Sequence, residues 1–357
     1  MKKRLLAALL ACSIPLCGCA SMLERDYVSV TTHSSTKADV GSPSVLRVES
    51  YQELVNSLIY FISTYSPSGT VRLYMDSAMV EEHLHNARLE ILQEYPLAVY
   101  AVDNISFKTN PLVTYTETEV TFSYRRTQQQ VTSIVSANGV TAARSALSAA
   151  LAEFADSCVL DTNYFDQKEE YILDLIQQAY YDAPATALEY PSAEINIYPN
   201  TGRQRIVEVL FHYESDPARL MERAVLLQQA CSRLAMELTA SDLPSDTALN
   251  TALSILDSGG YSPTAGSSAY DALLGSGANA EGLSLAMAAV CGELDIGCKV
   301  ARGLLDGDPH FWNVVETEDG WRHMDLSHLD PQSPFHTDEQ WLDGGYLWRE
   351  TALPACE

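Results

Sequence analysis

Twice in this chain a segment of helical apolar period leads into two strand-like runs joined at a turn, and the two occurrences lie about 90 residues apart. Switching between a 3.6-residue and a two-residue period fits neither an all-helical bundle nor an all-strand sandwich. The expected class is therefore α+β. In the first occurrence Leu54, Leu58, Ile59 and Ile62 recur at helical spacing, and Val71 to Met75 alternates like a strand. Val80 to Tyr95 returns to helix with Pro96 as its stop; Ala101–Phe107 and Thr116–Tyr124 then read as strands around a turn at Asn110-Pro111. In the second, Phe165 to Tyr181 is an amphipathic helix, followed by a hairpin of Ala193–Tyr198 and Arg205–Tyr213 over Pro199-Asn200-Thr201-Gly202. Ile105 with Ile195, and Tyr124 with Tyr213, keep the same offset. The pattern predicts a duplicated helix-plus-hairpin module, the copies at 45–157 and 158–243. The Ala-rich helix Val140–Phe154 falls between the hairpins, and Pro217–Leu238 forms a long helix after the second.

These modules carry no chemistry legible in sequence. His83 and His85 are two apart, which puts them on different sides of a helix. The 19 tyrosines fit half-buried strand positions better than a binding groove.

The N-terminus predicts the compartment. Met1-Lys2-Lys3-Arg4 is a basic head, Leu5 to Leu16 is apolar, and Leu16-Cys17-Gly18-Cys19 matches a bacterial lipobox. An apolar run this short falls below the roughly 20 residues a spanning helix needs. The expectation is a signal peptide at 1–18, lipidation of Cys19, and a Ser- and Thr-rich tether at 19–44 on the outer face of a bacterial membrane. Removing Lys2, Lys3 and Arg4 from the 22 basic residues leaves 19 against 47 acidic ones. Such a surface repels phosphate backbones, so nucleic acid is excluded as a partner. Five cysteines remain beyond Cys19: Cys158, Cys231, Cys291, Cys298 and Cys356. An oxidising exterior permits disulfides, and Cys291, Cys298 and Cys356 are the candidates for a pair. No C-x-x-C pair occurs among these five, and neither a metal site nor a cofactor is expected.

The C-terminal part, 244–357, carries four short motifs in order. Ser268-Ala269-Tyr270-Asp271-Ala272-Leu273 is followed by Ala280-Glu281-Gly282, then His310-Phe311-Trp312-Asn313, then Trp321 with Met324-Asp325. This order resembles the transglutaminase-like (papain-like) domains of bacterial surface proteins, whose pattern reads "TAYGAL … C-x-G-Y-A … H-A-W-N … W-x-x-x-D". The resemblance implies a Cys-His-Asp triad with the thiol at a helix start, where the macrodipole favours a thiolate. A histidine would take its proton and a carboxylate would orient the imidazole. His310 and Asp325 match the last two positions. Ala280 stands in the nucleophile slot, so the family's acyl transfer has no nucleophile there.

Leu283 and Phe311 also depart from the pattern and imply a reshaped cleft. Ser276, Ser284, Cys291 and Cys298 are poorly placed to replace the thiol. The resemblance thus implies a non-catalytic domain binding a peptide, cell-wall peptide or protein, with Glu281, Trp312 and Asn313 as cleft candidates; Trp312 fits a core aromatic better than a ligand platform, and Asn313 fits either a strand cap or a ligand contact. Two alternatives remain: an enzyme of peptidase, amidase or transamidase type working through His310 and Asp325 without cysteine, and a purely structural surface-assembly protein.

Overall fold

The computed structural model describes residues 45–163, 168–240, 247–349 and 353–357. The expected signal peptide, the tether and Cys19 lie outside them. The described chain is of mixed α+β class, with three four-stranded sheets.

The first sheet is built by β1 (Val45–Val48), α1 (Tyr51–Ser63), β2 (Ser68–Leu73), α2 (Val80–Glu94), α3 (Pro96–Ala101), β3 (Val102–Pro111) and β4 (Thr116–Tyr124). Ser50 starts α1 by accepting the N–H of Glu53, one of the donors that no earlier turn can satisfy. Leu54, Leu58 and Ile62 then fall on one face and are buried with Val71, Leu84, Ile91, Ile105 and Val120. The strand order is β1-β2-β4-β3, with β1 parallel to β2 and the others antiparallel. Pro96 ends α2 as expected but also opens α3, where its fixed φ and missing N–H suit the first turn. The turn expected at Asn110-Pro111 comes later: β3 runs through Pro111, and the N–H of Leu112 bonds Tyr115.

After α4 (Gln128–Thr132) the second sheet uses β5 (Val135–Ser136), α5 (Val140–Ala152), β6 (Ser157–Thr162), α6 (Glu169–Tyr181), β7 (Ser192–Tyr198) and β8 (Arg205–His212). Its order, β5-β6-β8-β7 with β5 parallel to β6, repeats that of the first. Matching strands begin at Val45 and Val135, Ser68 and Ser157, Val102 and Ser192, and Thr116 and Arg205. The repeated unit is thus strand–helix–strand–helix–hairpin, larger than the helix-plus-hairpin expected. The expected boundary at 157/158 cuts the second sheet at β6, and Val140–Phe154 is no spacer but the counterpart of α1. Sequence period missed the strands because β5 is two exposed residues and β6 buries Cys158, Val159 and Leu160 in a row.

The last part comprises α7 (Pro217–Ala240), α8 (Thr247–Ser258), β9 (Tyr261–Gly266), α9 (Ala269–Leu274), α10 (Ala280–Glu293), β10 (Cys298–Leu305), β11 (Asp308–Thr317), β12 (Gly320–Met324), a 3-10 turn (Leu326–His328), α11 (Asp338–Asp343) and β13 (Tyr346–Leu347). The third sheet runs β12-β11-β10-β13, antiparallel throughout. The described residues fall into two compact units. One holds those up to Ser133 with Asn163 and Ile197–Ile206, and the other holds the remainder.

The expected division at 243/244 is therefore not a break in packing. On α7, Arg223 lies 4.3 Å over the Tyr270 ring, and Gln228 and Ser232 each donate to Glu293 at 2.6 Å. No helix among the described residues is long and apolar enough to cross a membrane.

Candidate functional site

Helix α10 is buried on every side from Gly282 to Cys291, which explains its unbroken apolar run. Asn279 caps it by accepting the N–H of Gly282 at 3.0 Å, making Ala280 its first residue. A Cβ on Gly282 would lie 2.9 Å from the Ser268 carbonyl and 2.8 Å from the Ala278 methyl. Glycine is required there by close approach, and the Glu281-Gly282 dipeptide marks that contact.

Two chains of contact join the first turn of α10 to the start of β11. Tyr181 donates to Glu281 at 2.8 Å and lies 5.8 Å from the Phe311 ring. On the other side Tyr261 pairs with Ala278 through the backbone and meets the His328 ring at 6.3 Å, and His328 in turn meets His310 at 5.5 Å.

His310 Nε2 lies 2.6 Å from Asp325 Oδ2. Asp325 follows β12 and caps the 3-10 turn, accepting at Oδ1 from the N–H of Ser327 at 2.8 Å and its hydroxyl at 2.6 Å. Its Oδ2 also accepts from Tyr346 at 2.9 Å and faces His328 Nδ1 at 3.1 Å. Burial pushes the Asp325 carboxyl up, but the hydrogen bonds from His310, Ser327 and Tyr346 outweigh it and hold it below its ordinary range. With Nε2 turned to this carboxylate, His310 makes no hydrogen bond through Nδ1 among the described residues.

Of the expected cleft residues, Trp312 and Asn313 belong to the core. Both are fully buried: the Trp312 indole donates to His323 Nδ1 at 2.9 Å, and the Asn313 amide donates to the Ser284 carbonyl at 2.9 Å. Glu281 is partly buried under Tyr181; burial drives its carboxyl upward against the Tyr181 hydrogen bond and the Arg302 charge. Core burial is the reading that residue type favours for Trp312, whereas for Asn313 alternation along β11 assigns a face without saying what covers it.

Three of the four side chains weighed as alternative nucleophiles, Ser284, Cys291 and Cys298, are buried or already bonded. The Ser284 hydroxyl donates to the Ala280 carbonyl at 2.8 Å. Cys291 is buried, and Cys298 is raised well above the ordinary thiol range by its contact with Cys291 and by burial. Cys291, Cys298 and Cys356 are all free thiols; Cys356 sits beside Asp338, apart from the other two. The hydroxyl nearest to His310 is one the sequence reading passed over: Ser327 Oγ at 3.4 Å, its proton committed to Asp325. His328 and Tyr346 were also passed over. The only sequence signal for His328 was its position three residues after Asp325.

No family model matches the chain, and no curated protein matches it. Among solved structures it is similar to a TGase at a TM-score of 0.28 and 12% identity, over 48% of this chain and 51% of that one. It is also similar to a provisionally assigned cysteine protease from Cytophaga hutchinsonii at a TM-score of 0.26 and 15% identity, over 41% of this chain and 65% of that one. The chain thus spans between half and two-thirds of the length of those proteins. At TM-scores this low the likeness assigns no residue a role.

Proposed function

We propose that the C-terminal part is a transglutaminase-like, papain-like domain that has lost thiol chemistry and serves as a binding module on a lipid-anchored, extracytoplasmic lipoprotein. The observation that carries this reading is the His310–Asp325 pair. It is held at 2.6 Å on neighbouring strands, while the capped helix that would present the nucleophile begins with an alanine. An imidazole fixed by a carboxylate supports acyl transfer only when it has a nucleophile to deprotonate.

With Trp312 and Asn313 in the core, a peptide, cell-wall peptide or protein ligand would meet the half-exposed rim of His328 and Tyr261. The lipid on Cys19 would place this rim outside the cell; Cys19→Ser should move the protein from the membrane to the soluble fraction.

Purified full-length protein should show no peptidase, amidase or transamidase turnover. Ala280→Cys should create a thiol that alkylates faster than those of Cys158, Cys231, Cys291, Cys298 and Cys356. A defined turnover abolished by His310→Ala would overturn the non-catalytic reading in favour of the second one, a hydrolase working through water. The unpartnered Nδ1 of His310 is the feature that favours this second reading.

A further inference from the structure

Two groups of three metal-ligating side chains converge in the C-terminal part: His310 with Asp325 and His328, and His323 with Asp338 and Cys356. In each the ligand atoms lie within 4.8 Å of one another. Tautomer chemistry separates them. Trp312 Nε1, which can only donate, bonds His323 Nδ1 at 2.9 Å. The neutral His323 ring must then carry its proton on Nε2, the atom that faces Asp338 at 2.8 Å. That nitrogen has no lone pair to offer. Cys356 adds to the obstacle: burial, with help from Asp338, pushes its thiol up to about 12, far from the thiolate a metal needs.

The first group carries neither obstacle. Among the described residues nothing donates to Nδ1 of His310 and so fixes its proton on Nε2, and the Nε2 of His328 makes no hydrogen bond. Both rings can place the proton on the far nitrogen and turn a lone pair toward Asp325. The carboxylate is already oriented by two bonds from Ser327 to Oδ1 and one from Tyr346 to Oδ2, whose remaining lone pair faces the two rings. Such outer-shell bonds fix a ligating carboxylate. The present separations of 2.6 and 3.1 Å around Oδ2 are hydrogen-bond distances. Ligand atoms around a tetrahedral zinc lie about 3.3 Å apart, given bonds of about 2.0–2.1 Å. Binding would open the His310–Asp325 contact by about 0.7 Å and the His328–Asp325 contact by about 0.2 Å. His328, with 54% of its side chain exposed, is free to make the smaller of these shifts.

We propose that His310, Asp325 and His328 bind one divalent transition-metal cation of the zinc type. Two imidazoles and a carboxylate suit borderline metals rather than calcium or magnesium. Three protein ligands leave a fourth position, open to solvent beside His328, for water or a ligand group. The site depends only on the positions of three side chains, so it stands or falls independently of the transglutaminase-like reading.

The test uses the untagged, metal-stripped full-length chain titrated with Co2+ and followed by visible absorption. One Co2+ should bind per chain at micromolar concentration, with the intense ligand-field bands of a four- or five-coordinate N/O site. His328→Ala, at an exposed position, and His310→Ala should each weaken binding at least about tenfold. His85→Ala, on an exposed face of α2, should not. Circular dichroism matching the parent shows that each variant is folded. Absence of binding, binding indifferent to both substitutions, or a sulfur charge-transfer band lost in Cys356→Ser would each overturn the proposal.

Discussion

The two histidine–carboxylate pairs of the third sheet stand on one face of it, on either side of Trp312, and they meet water in opposite ways. His323 pairs with Val314 across the strands, so it shares a face with Trp312 and His310, and Asp325 lies two residues further along. His323 is fully buried, stacked on Trp341 at 5.3 Å and edged by Trp348 at 4.7 Å. Its partner Asp338 ties down the chain end through the backbone of Cys356. The His310 pair is tighter, yet it opens at His328. The same residue types thus give a locked strut in one place and an accessible donor set in the other. The difference lies in the indole N–H, which spends the lone pair of one ring and leaves those of the other two rings available.

The largest effect that can break this contrast is on stability. His323→Ala strands a buried indole N–H and a carboxylate and should cost about 3 kcal/mol in denaturant unfolding. A cost below about 1 kcal/mol would remove the strut. Next in size is Tyr181→Phe, which deletes a part-buried hydrogen bond to a carboxylate and should cost about 1 kcal/mol by the same measurement. His328→Ala should be nearly neutral, within about 0.5 kcal/mol, because most of that side chain is already in water.

The pairs should also separate along the pH axis. Burial lowers the His323 pKa against the pull of Asp338, so below about pH 6.5 the unfolded chain binds more protons than the folded one. Its stabilising contribution is complete above that pH and declines as the pH falls toward the lower folded value. Asp325, held below the ordinary carboxylate value, contributes fully above about pH 3.9 and loses that contribution as the pH drops through its folded value. Unfolding measured across pH should therefore show a shallower slope just below about pH 6.5 in His323→Gln. Asp325→Asn should keep that slope and flatten only the more acid limb. Identical profiles for the two variants would erase the distinction.

Much of the local structure was legible in the chain. The helical spacing of Leu54, Leu58, Ile59 and Ile62 becomes α1, and Val80 to Tyr95 becomes α2 with Pro96 just beyond it. The 90-residue offset was visible in two residue pairs, but the repeat's true extent was hidden where β5 is too short and β6 too uniformly buried to show a period. At the site, His310 and Asp325 were found because their motifs carry them. Trp312 takes the core place that suits a large aromatic, and Asn313 stayed open because a motif does not say which side of a strand is covered.

Sequence by itself determined the α+β class, the acidic balance and the alanine at position 280. These follow from composition, from apolar period and from the identity of one residue. Only the tertiary structure decided that α7 joins the C-terminal part, that His323 is locked while His310 is not, and that His328 turns back onto Asp325. Those outcomes depend on partners that sequence period does not specify: which donor reaches which lone pair, and which side chain is left facing water.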